Sequence, residues 1–495
     1  MKNSCQMLMG WSEISITPDK RVGLMGQFIE RISDSIETPV TATALAISVN
    51  GEDVILCSCD LVTVTQELIT ATRKIITAKG GPDADKIIWN ATHTHTSLQY
   101  RGGLNTLSFS SGILERYFPY ELKEDPVSSP DIMGEDEAFD YLAERLAEVV
   151  LRAWEGRVPS SVQMAFGRVA IGMCRRATYR DGSALMWGDT SRDDFLALES
   201  GNDSGMELMY IHNEEGKLTG VVANLSCPAQ VLEHRTFLSS DYWGKVKRRL
   251  REHFGDDLYV LALCGPAGDL CPRDLIRWVD PETPIADPNV CRSKTVQRRA
   301  DPSMFDLSGA ETIGRRIASE IIGVYEDGGA EDVPQCLYHT IKNIRLPVRR
   351  VTEAERDEAD RRIREAVSEA GKNAFDYRDN AMLYVYAGTI DRYESQDIMP
   401  DFEVELHILR IGDVALATAP FELFHEYGNR IRGRSLAAQT FLVQLAAGSL
   451  GYLPTATAEA GGHYSAYVSS GITGHEGGDQ MVEAILDEIN QLFVK

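Results

Sequence analysis

The sequence predicts a layered α/β fold, with sheets covered by helices, formed by residues 1–495 as a single large domain. Three observations carry this expectation. A hairpin pattern, an amphipathic helix and a buried strand succeed one another in the first part of the chain; strand-like and helical runs keep alternating to the carboxyl end; and no linker or repeat divides them. Hydrophobic residues make up 43% of the 495 and charged residues 25%, the balance of a globular protein with a sizeable core.

Taken in order, Val40 to Val49 and Asp53 to Cys59 read as strands around the turn Asn50-Gly51-Glu52. Gln66 to Lys79 has helical spacing and stops at Gly80-Gly81-Pro82. Lys86 to Thr92 reads as a buried strand. From Ser97 to Glu135 glycine, serine, proline and aromatics mix without a period, and a long irregular segment of this kind is expected to act as a lid or pocket wall. Asp136 to Trp154 restores a helix, with Phe139, Leu142, Leu146, Val149, Val150 and Ala153 on one face. Strands are expected near 161–173, 206–212 and 217–226, a helix near 242–254, a strand over Asp257 to Cys264 and a helix near 304–325. Residues 351–370 read as a solvated, charge-rich helix. Val404 to Thr418 reads as one strand and Phe421 to Arg432 as a helix, followed by the strand Thr440 to Leu445 and a closing helix over 477–493.

Composition argues against polyanionic partners, and a small-molecule substrate is the expected partner. A formal net charge of −24 repels nucleic acid and anionic membrane surfaces. No run approaches the ~18 apolar residues of a membrane span, so membrane insertion is not expected. The start, Met1 to Trp11, has one basic residue and no signal-peptide core, and nine cysteines without a repeating spacing suit reduced thiols; a cytoplasmic location is expected. The sequence leaves the oligomeric state open.

Reactive side chains gather at the predicted strand ends. His93-Thr94-His95-Thr96 closes the strand Lys86 to Thr92, and residues i and i+2 of an extended segment share a face, so the two imidazoles are expected to converge, as metal ligands or as hydrogen-bonding loop residues. Cys227 ends an apolar strand before Pro228, as a zinc-capable thiolate or an inert buried thiol. Asp269 lies in the tight turn Cys264 to Arg273, and Arg175-Arg176 follow a strand, placed to anchor an anionic or carbonyl group or to form a salt bridge. Glu422 is expected in a first helical turn, where the dipole favours it and where it is also an oxygen ligand. Tyr464 follows Gly461-Gly462-His463 as a surface aromatic, a substrate hydrogen-bonder or a phenolate ligand.

In this order the segments resemble the catalytic domain of the neutral, non-lysosomal ceramidase family over nearly the whole chain. The resemblance rests on Gly10-Trp11-Ser12-Glu13-Ile14-Ser15-Ile16-Thr17-Pro18, on Met25-Gly26, on Thr92-His93-Thr94-His95 and on Gly268-Asp269-Leu270-Cys271-Pro272. It implies that family's α/β fold and a single Zn²⁺ whose ligands match His93, Glu422 and Tyr464. Where the family has its second histidine ligand this chain has Cys227, with Ser239-Ser240-Asp241 still correctly spaced. The resemblance therefore implies a Cys227 thiolate ligand and a weaker Lewis acid; His234 swinging in, or loss of the metal, are the alternatives. His95 and Asp269 are expected to handle protons and Arg175, matching a family arginine, to stabilise the oxyanion, while Cys271 takes the place of a serine in the catalytic turn.

Secreted ceramidases carry a signal peptide and an additional carboxyl-terminal β-sandwich, neither of which is expected here, and the expected activity is zinc-dependent hydrolysis of an amide bond in a small soluble substrate. Two other readings fit the same residues. One is hydrolysis or elimination on a sugar-like polyhydroxy substrate, with Trp89, Trp187 and Tyr100 beside it; the other is a catalytically silent binding protein on the same scaffold.

Overall fold

A computed structural model describes residues 6–27, 29–101, 111–117, 129–276, 306–370 and 377–494. Its large sheet runs in the order Tyr259–Cys264, Leu218–Leu225, Asp203–Asn213, Val158–Cys174, Leu8–Ser15, Thr41–Val49, Glu52–Cys59, Ile87–Ala91. A second sheet runs Leu337–Pro347, Asp401–Ile411, Val414–Ala419, Gln439–Gln444. The two face each other across Leu45, Ile47, Leu56 and Leu261 on one side and Leu409, Leu416, Phe441 and Val443 on the other. Helices cover the outer faces. Gln66–Ala78, Glu135–Glu155, Asp241–Phe254 and Asp306–Glu326 lie on the large sheet, and His475–Val494 lies on the second. The order helix, sheet, sheet, helix is the layered α/β arrangement the sequence predicts.

Burial on both faces explains the apolar runs. On Thr41–Val49, Ala42, Ala44 and Ala46 turn towards the helices, while Leu45, Ile47 and Val49 turn towards the second sheet. Small residues on the helix side let the helices pack close. The hairpin turns at Asn50 and Gly51, both at positive φ, the conformation a tight two-residue connection demands.

Most predicted elements lie within a few residues of their expected positions, and three do not match. Val404 to Thr418 is two antiparallel strands, turning at Gly412 with φ 59°. The helix expected from Phe421 begins at His425. The charge-rich helix Glu353–Ala370 is not solvated all round: Ala359 and Ile363 are buried against Leu383, Ala387 and Ile390 of an unanticipated second helix, Tyr377–Ser395. Part of the expected lid docks on that pair, where Ile113 and Leu114 join the same apolar cluster and Tyr117 donates to Asp360 at 2.7 Å. Residues 102–110 and 118–128 of the lid lie outside the described residues.

Three crossovers place the functional ends. Glu52–Cys59 and Ile87–Ala91 are parallel and joined through Gln66–Ala78; Leu218–Leu225 and Tyr259–Cys264 through Asp241–Phe254; Val414–Ala419 and Gln439–Gln444 through His425–Arg432. Ligands of such βαβ units bind beyond the carboxyl ends of the parallel strands.

Glu13 on the first strand braces the helix Asp241–Phe254, with one oxygen 2.8 Å from Arg251 and the other 3.1 Å from Lys247. Burial works to raise its pKa, but the charges of Lys247 and Arg251 and hydrogen bonds from Arg251 and Thr43 outweigh it and hold the group at about 2. A depressed folded pKa gives stability that is present above the ordinary value of 4.5 and is lost as pH falls through about 2. The effect is on the order of 3 kcal/mol. Glu13→Gln is expected to destabilise strongly at pH 7 and much less at pH 3, as read by denaturant titration; an equal loss at both would refute the assignment.

Candidate active site

The strand Ile87–Ala91 ends short of the histidines, and His93 takes φ 66°, an uncommon conformation for a side-chain-bearing residue. The two imidazoles do converge, centroids 4.7 Å apart and edge to face, but through this turn rather than through the pleat of an extended strand. The alternating threonines face the other way: Thr94 and Thr96 donate to the Ser239 carbonyl at 2.8 and 2.9 Å. They pin the loop while both histidines face inward.

Each ring is separately held. His93 Nδ1 meets the Val62 carbonyl at 2.8 Å, and its Nε2 stands 3.2 Å from His95 Nε2 and 3.5 Å from Glu422 Oε2. The His95 carbonyl accepts from Arg31 at 2.7 Å, its ring lies against Gly26, and its Nδ1 stands 3.7 Å from Glu233 Oε2. Burial first, and the neighbouring His93, Arg31 and Arg175 charges second, keep the His95 pKa well below the usual imidazole value.

Glu422 does not open a helix. It belongs to the two-residue strand Glu422–Leu423, paired with Tyr452–Leu453, so a helix dipole is not what holds it ionised. Burial pushes its pKa up, yet the neighbouring His93 and Arg175, with a hydrogen bond from Tyr452, bring it below the ordinary value. Arg175 Nη2 lies 3.8 Å from Glu422 Oε2, donates to the Gly268 carbonyl at 3.0 Å and to the Tyr452 hydroxyl at 3.3 Å. Arg175 Nε is buried with no hydrogen-bond partner among the described residues. The Tyr464 ring packs edge-on against Tyr452 at 5.4 Å, and the two hydroxyls are 3.5 Å apart. Burial pushes the Tyr464 pKa up to about 12, so its hydroxyl keeps its proton at neutral pH.

The remaining predicted residues are committed elsewhere. Cys227 is buried in the apolar cluster beneath Asp241–Phe254, and its thiol donates to the Ile171 and Pro228 carbonyls at 3.5 and 3.7 Å. Burial holds its pKa well above the usual thiol value. His234 faces Asp306 at 3.7 Å; it is its neighbour Glu233 that faces His95. Asp269 spends both oxygens: Oδ1 accepts from the His425 backbone at 2.8 Å, and Oδ2 meets His425 Nδ1 at 2.8 Å and Ser200 Oγ at 2.7 Å. It clamps the turn to the helix His425–Arg432. The Cys271 thiol donates to the Arg273 carbonyl at 3.2 Å, and burial pushes its pKa up to about 12 despite Arg175 and Arg273. Trp89 is core, under the helices of the first layer, and the Tyr100 hydroxyl donates to the Thr63 carbonyl at 2.9 Å. Trp187 lies between two guanidiniums, 5.6 Å from Arg175 and 5.0 Å from Arg273.

Several residues that matter here carried no signal of their own. Gln444 is fully buried and its Oε1 accepts from the Ala267 backbone at 2.9 Å and from Leu423 at 3.0 Å, tying the glycine-bearing turn to the neighbour of Glu422. Glu233 pairs with Arg273 at 3.1 Å while facing His95. The one available hint was a charged pair, Glu233-His234, breaking the apolar run after Pro228.

Imidazole nitrogen and carboxylate oxygen are suitable donors for zinc, and His93 Nε2 and Glu422 Oε2 meet beside two tyrosine hydroxyls. Among the described residues no three His, Cys, Asp or Glu side chains are already drawn together as a metal cage. These donors fit the ion, while the Cys227 sulfur is turned towards backbone carbonyls.

No protein-family model matches the chain, and no curated protein matches it. Among solved structures, it matches the crystal structure of neutral ceramidase from Pseudomonas aeruginosa with a TM-score of 0.66 and 16% identity, over 99% of this chain and 75% of that one. A ceramidase complexed with C2 matches with a TM-score of 0.65 and 15% identity, over 99% and 76%.

Proposed function

We propose that this chain, which has the neutral ceramidase fold, is a zinc-dependent hydrolase that cleaves an amide bond in a small soluble substrate. The observation that carries the reading is the meeting of His93 Nε2 with Glu422 Oε2 at 3.5 Å, beside a buried arginine with an unused donor. His93 and Glu422 would hold the ion, with Tyr464 next to them. A bound zinc ion supplies a Lewis acid and lowers the pKa of a coordinated water to about 7.

The chain's own residues supply the rest. Arg175 is fixed by Gly268 and Tyr452 and pays no reorganisation when negative charge develops on the substrate carbonyl oxygen, which is what makes a preorganised donor effective. Tyr452 and Tyr464 remain protonated and act as hydrogen-bond donors, not as bases. Asp269 keeps the turn beneath Arg175 in register: the Arg175 backbone N–H donates to the Asp269 carbonyl at 3.0 Å. Water adds to the carbonyl carbon, the C–N bond breaks, and the amine leaves with a proton.

The purified full chain should carry about one equivalent of divalent metal and hydrolyse members of an N-acyl amide panel. Chelation should abolish turnover and zinc should restore it. A metal-free protein whose thermal stability ignores both zinc and chelator, or a protein that turns over only glycosides from a parallel panel, would overturn the reading.

A further inference from the structure

A carbonyl oxygen only accepts hydrogen bonds, so the 2.8 Å contact with Val62 requires that His93 Nδ1 carry the ring hydrogen. The neutral ring then has its lone pair on Nε2, facing His95 Nε2 at 3.2 Å. On the far side of the second ring, Nδ1 faces the Glu233 carboxylate at 3.7 Å, and that carboxylate is ion-paired with Arg273 at 3.1 Å. At 3.7 Å this is a charge contact and not a hydrogen bond, and the negative charge favours the His95 tautomer with its hydrogen on Nδ1. Both Nε2 atoms then present lone pairs to each other, an arrangement that repels when nothing lies between and that a shared cation satisfies.

The two separations measured from His93 agree with such a cation. Two donors each ~2.1 Å from a tetrahedral zinc lie about 3.4 Å apart. His93 Nε2 stands 3.2 Å from His95 Nε2 and 3.5 Å from Glu422 Oε2. A ligating histidine usually gives its other ring hydrogen to a carbonyl or carboxylate, and Val62 and Glu233 are placed for these two parts. Room for the second ring is built in: a Cβ on residue 26 would lie 2.6 Å from His95 Cγ and Nδ1, and residue 26 is glycine with φ 109°. Cys227, by contrast, directs its sulfur to backbone carbonyls inside an apolar cluster.

We infer that His95, and not Cys227, supplies the second protein ligand to the ion held by His93 and Glu422, with Glu233 as the positioning residue behind it. This rests on the metal-dependent reading above and changes its ligand set. The site then does without the histidine that Cys227 replaces by drawing on the other member of the same His-x-His.

The test is zinc titration of the chelator-stripped full chain by calorimetry, with the absorption spectrum of the cobalt(II)-loaded protein as a second measurement. Cys227→Ala is expected to bind zinc within about threefold of the unsubstituted chain, and His95→Ala about 100-fold more weakly or worse. Glu233→Gln is expected to lose about 10–100-fold, as orienting partners of ligating histidines do. The cobalt protein should show no thiolate-to-metal charge-transfer band, a readout that holds even if a variant fails to fold. Such a band, or loss of zinc from Cys227→Ala with His95→Ala still binding, would overturn the assignment while leaving the metal-dependent reading intact. If the unsubstituted chain binds no zinc, both fall.

Discussion

Arg176→Ala is expected to destabilise the fold by about 3–5 kcal/mol, the range for breaking a buried ion pair from one side. The side chain of Arg176 is 0% exposed, and it forks onto Glu199 with Nε–Oε2 at 2.6 Å and Nη2–Oε1 at 3.1 Å. Its remaining donors reach the carbonyls of Ala458, Gly462 and Tyr464 at 3.2, 2.9 and 3.2 Å and the Ser465 hydroxyl at 3.2 Å. Removing the guanidinium leaves Glu199 charged and buried and strips donors from the glycine-rich loop that carries Tyr464. Arg176→Lys should recover little, because one ammonium cannot reproduce the fork. Denaturant titration decides it: a loss below about 1 kcal/mol in Arg176→Ala would show that the loop holds itself. Adjacent arginines thus divide the work, Arg176 bracing the loop while Arg175 faces the candidate site.

Gly26→Ala is expected to cost about 2–6 kcal/mol and to weaken zinc binding with it. The positive φ contributes ~1–3 kcal/mol of strain in any residue with a Cβ. Crowding adds ~1–3 kcal/mol, because the new methyl would lie 2.6 Å from the His95 ring. The backbone beneath that ring cannot retreat easily: Arg31 binds the carbonyls of both Met25 and His95, at 2.8 and 2.7 Å. Relief must come from rotating the imidazole, which breaks its 3.2 Å approach to His93. Calorimetry with zinc, set beside a denaturant titration, separates the two effects. A variant that binds zinc normally and loses under 1 kcal/mol would mean that the ring position is not what Gly26 protects.

Much of the fold was legible because it depends on near neighbours. Apolar residues on both faces marked the strand Thr41–Val49, Asn50-Gly51 marked its turn, and Gly80-Gly81-Pro82 marked the end of a helix, each through torsional preference and a short period. Where a turn depended on a single glycine, as at Gly412 between two strand-like stretches, the period carried no trace of it and two strands read as one. The helix Tyr377–Ser395 was missed because its apolar spacing is weak, and what fixes it is the neighbouring helix it packs on.

The candidate site divides along the same line. Thr92 to Thr96 is one local motif, and the sequence by itself put two imidazoles side by side there, with Arg175 and Glu422 at strand ends of their own; the turn that makes the rings converge is tertiary. Only the tertiary structure decided which partners they meet. His93 and Glu422 come together because two sheets pack face to face and Gln444 ties their ends, a relation between distant segments that no local pattern encodes. Glu233 and His234 are adjacent in sequence and face opposite ways, and the Cys227 thiol turns into an apolar cluster. Side-chain direction at the end of a strand is set by what packs around it, so the sequence could supply the donors and not their aim.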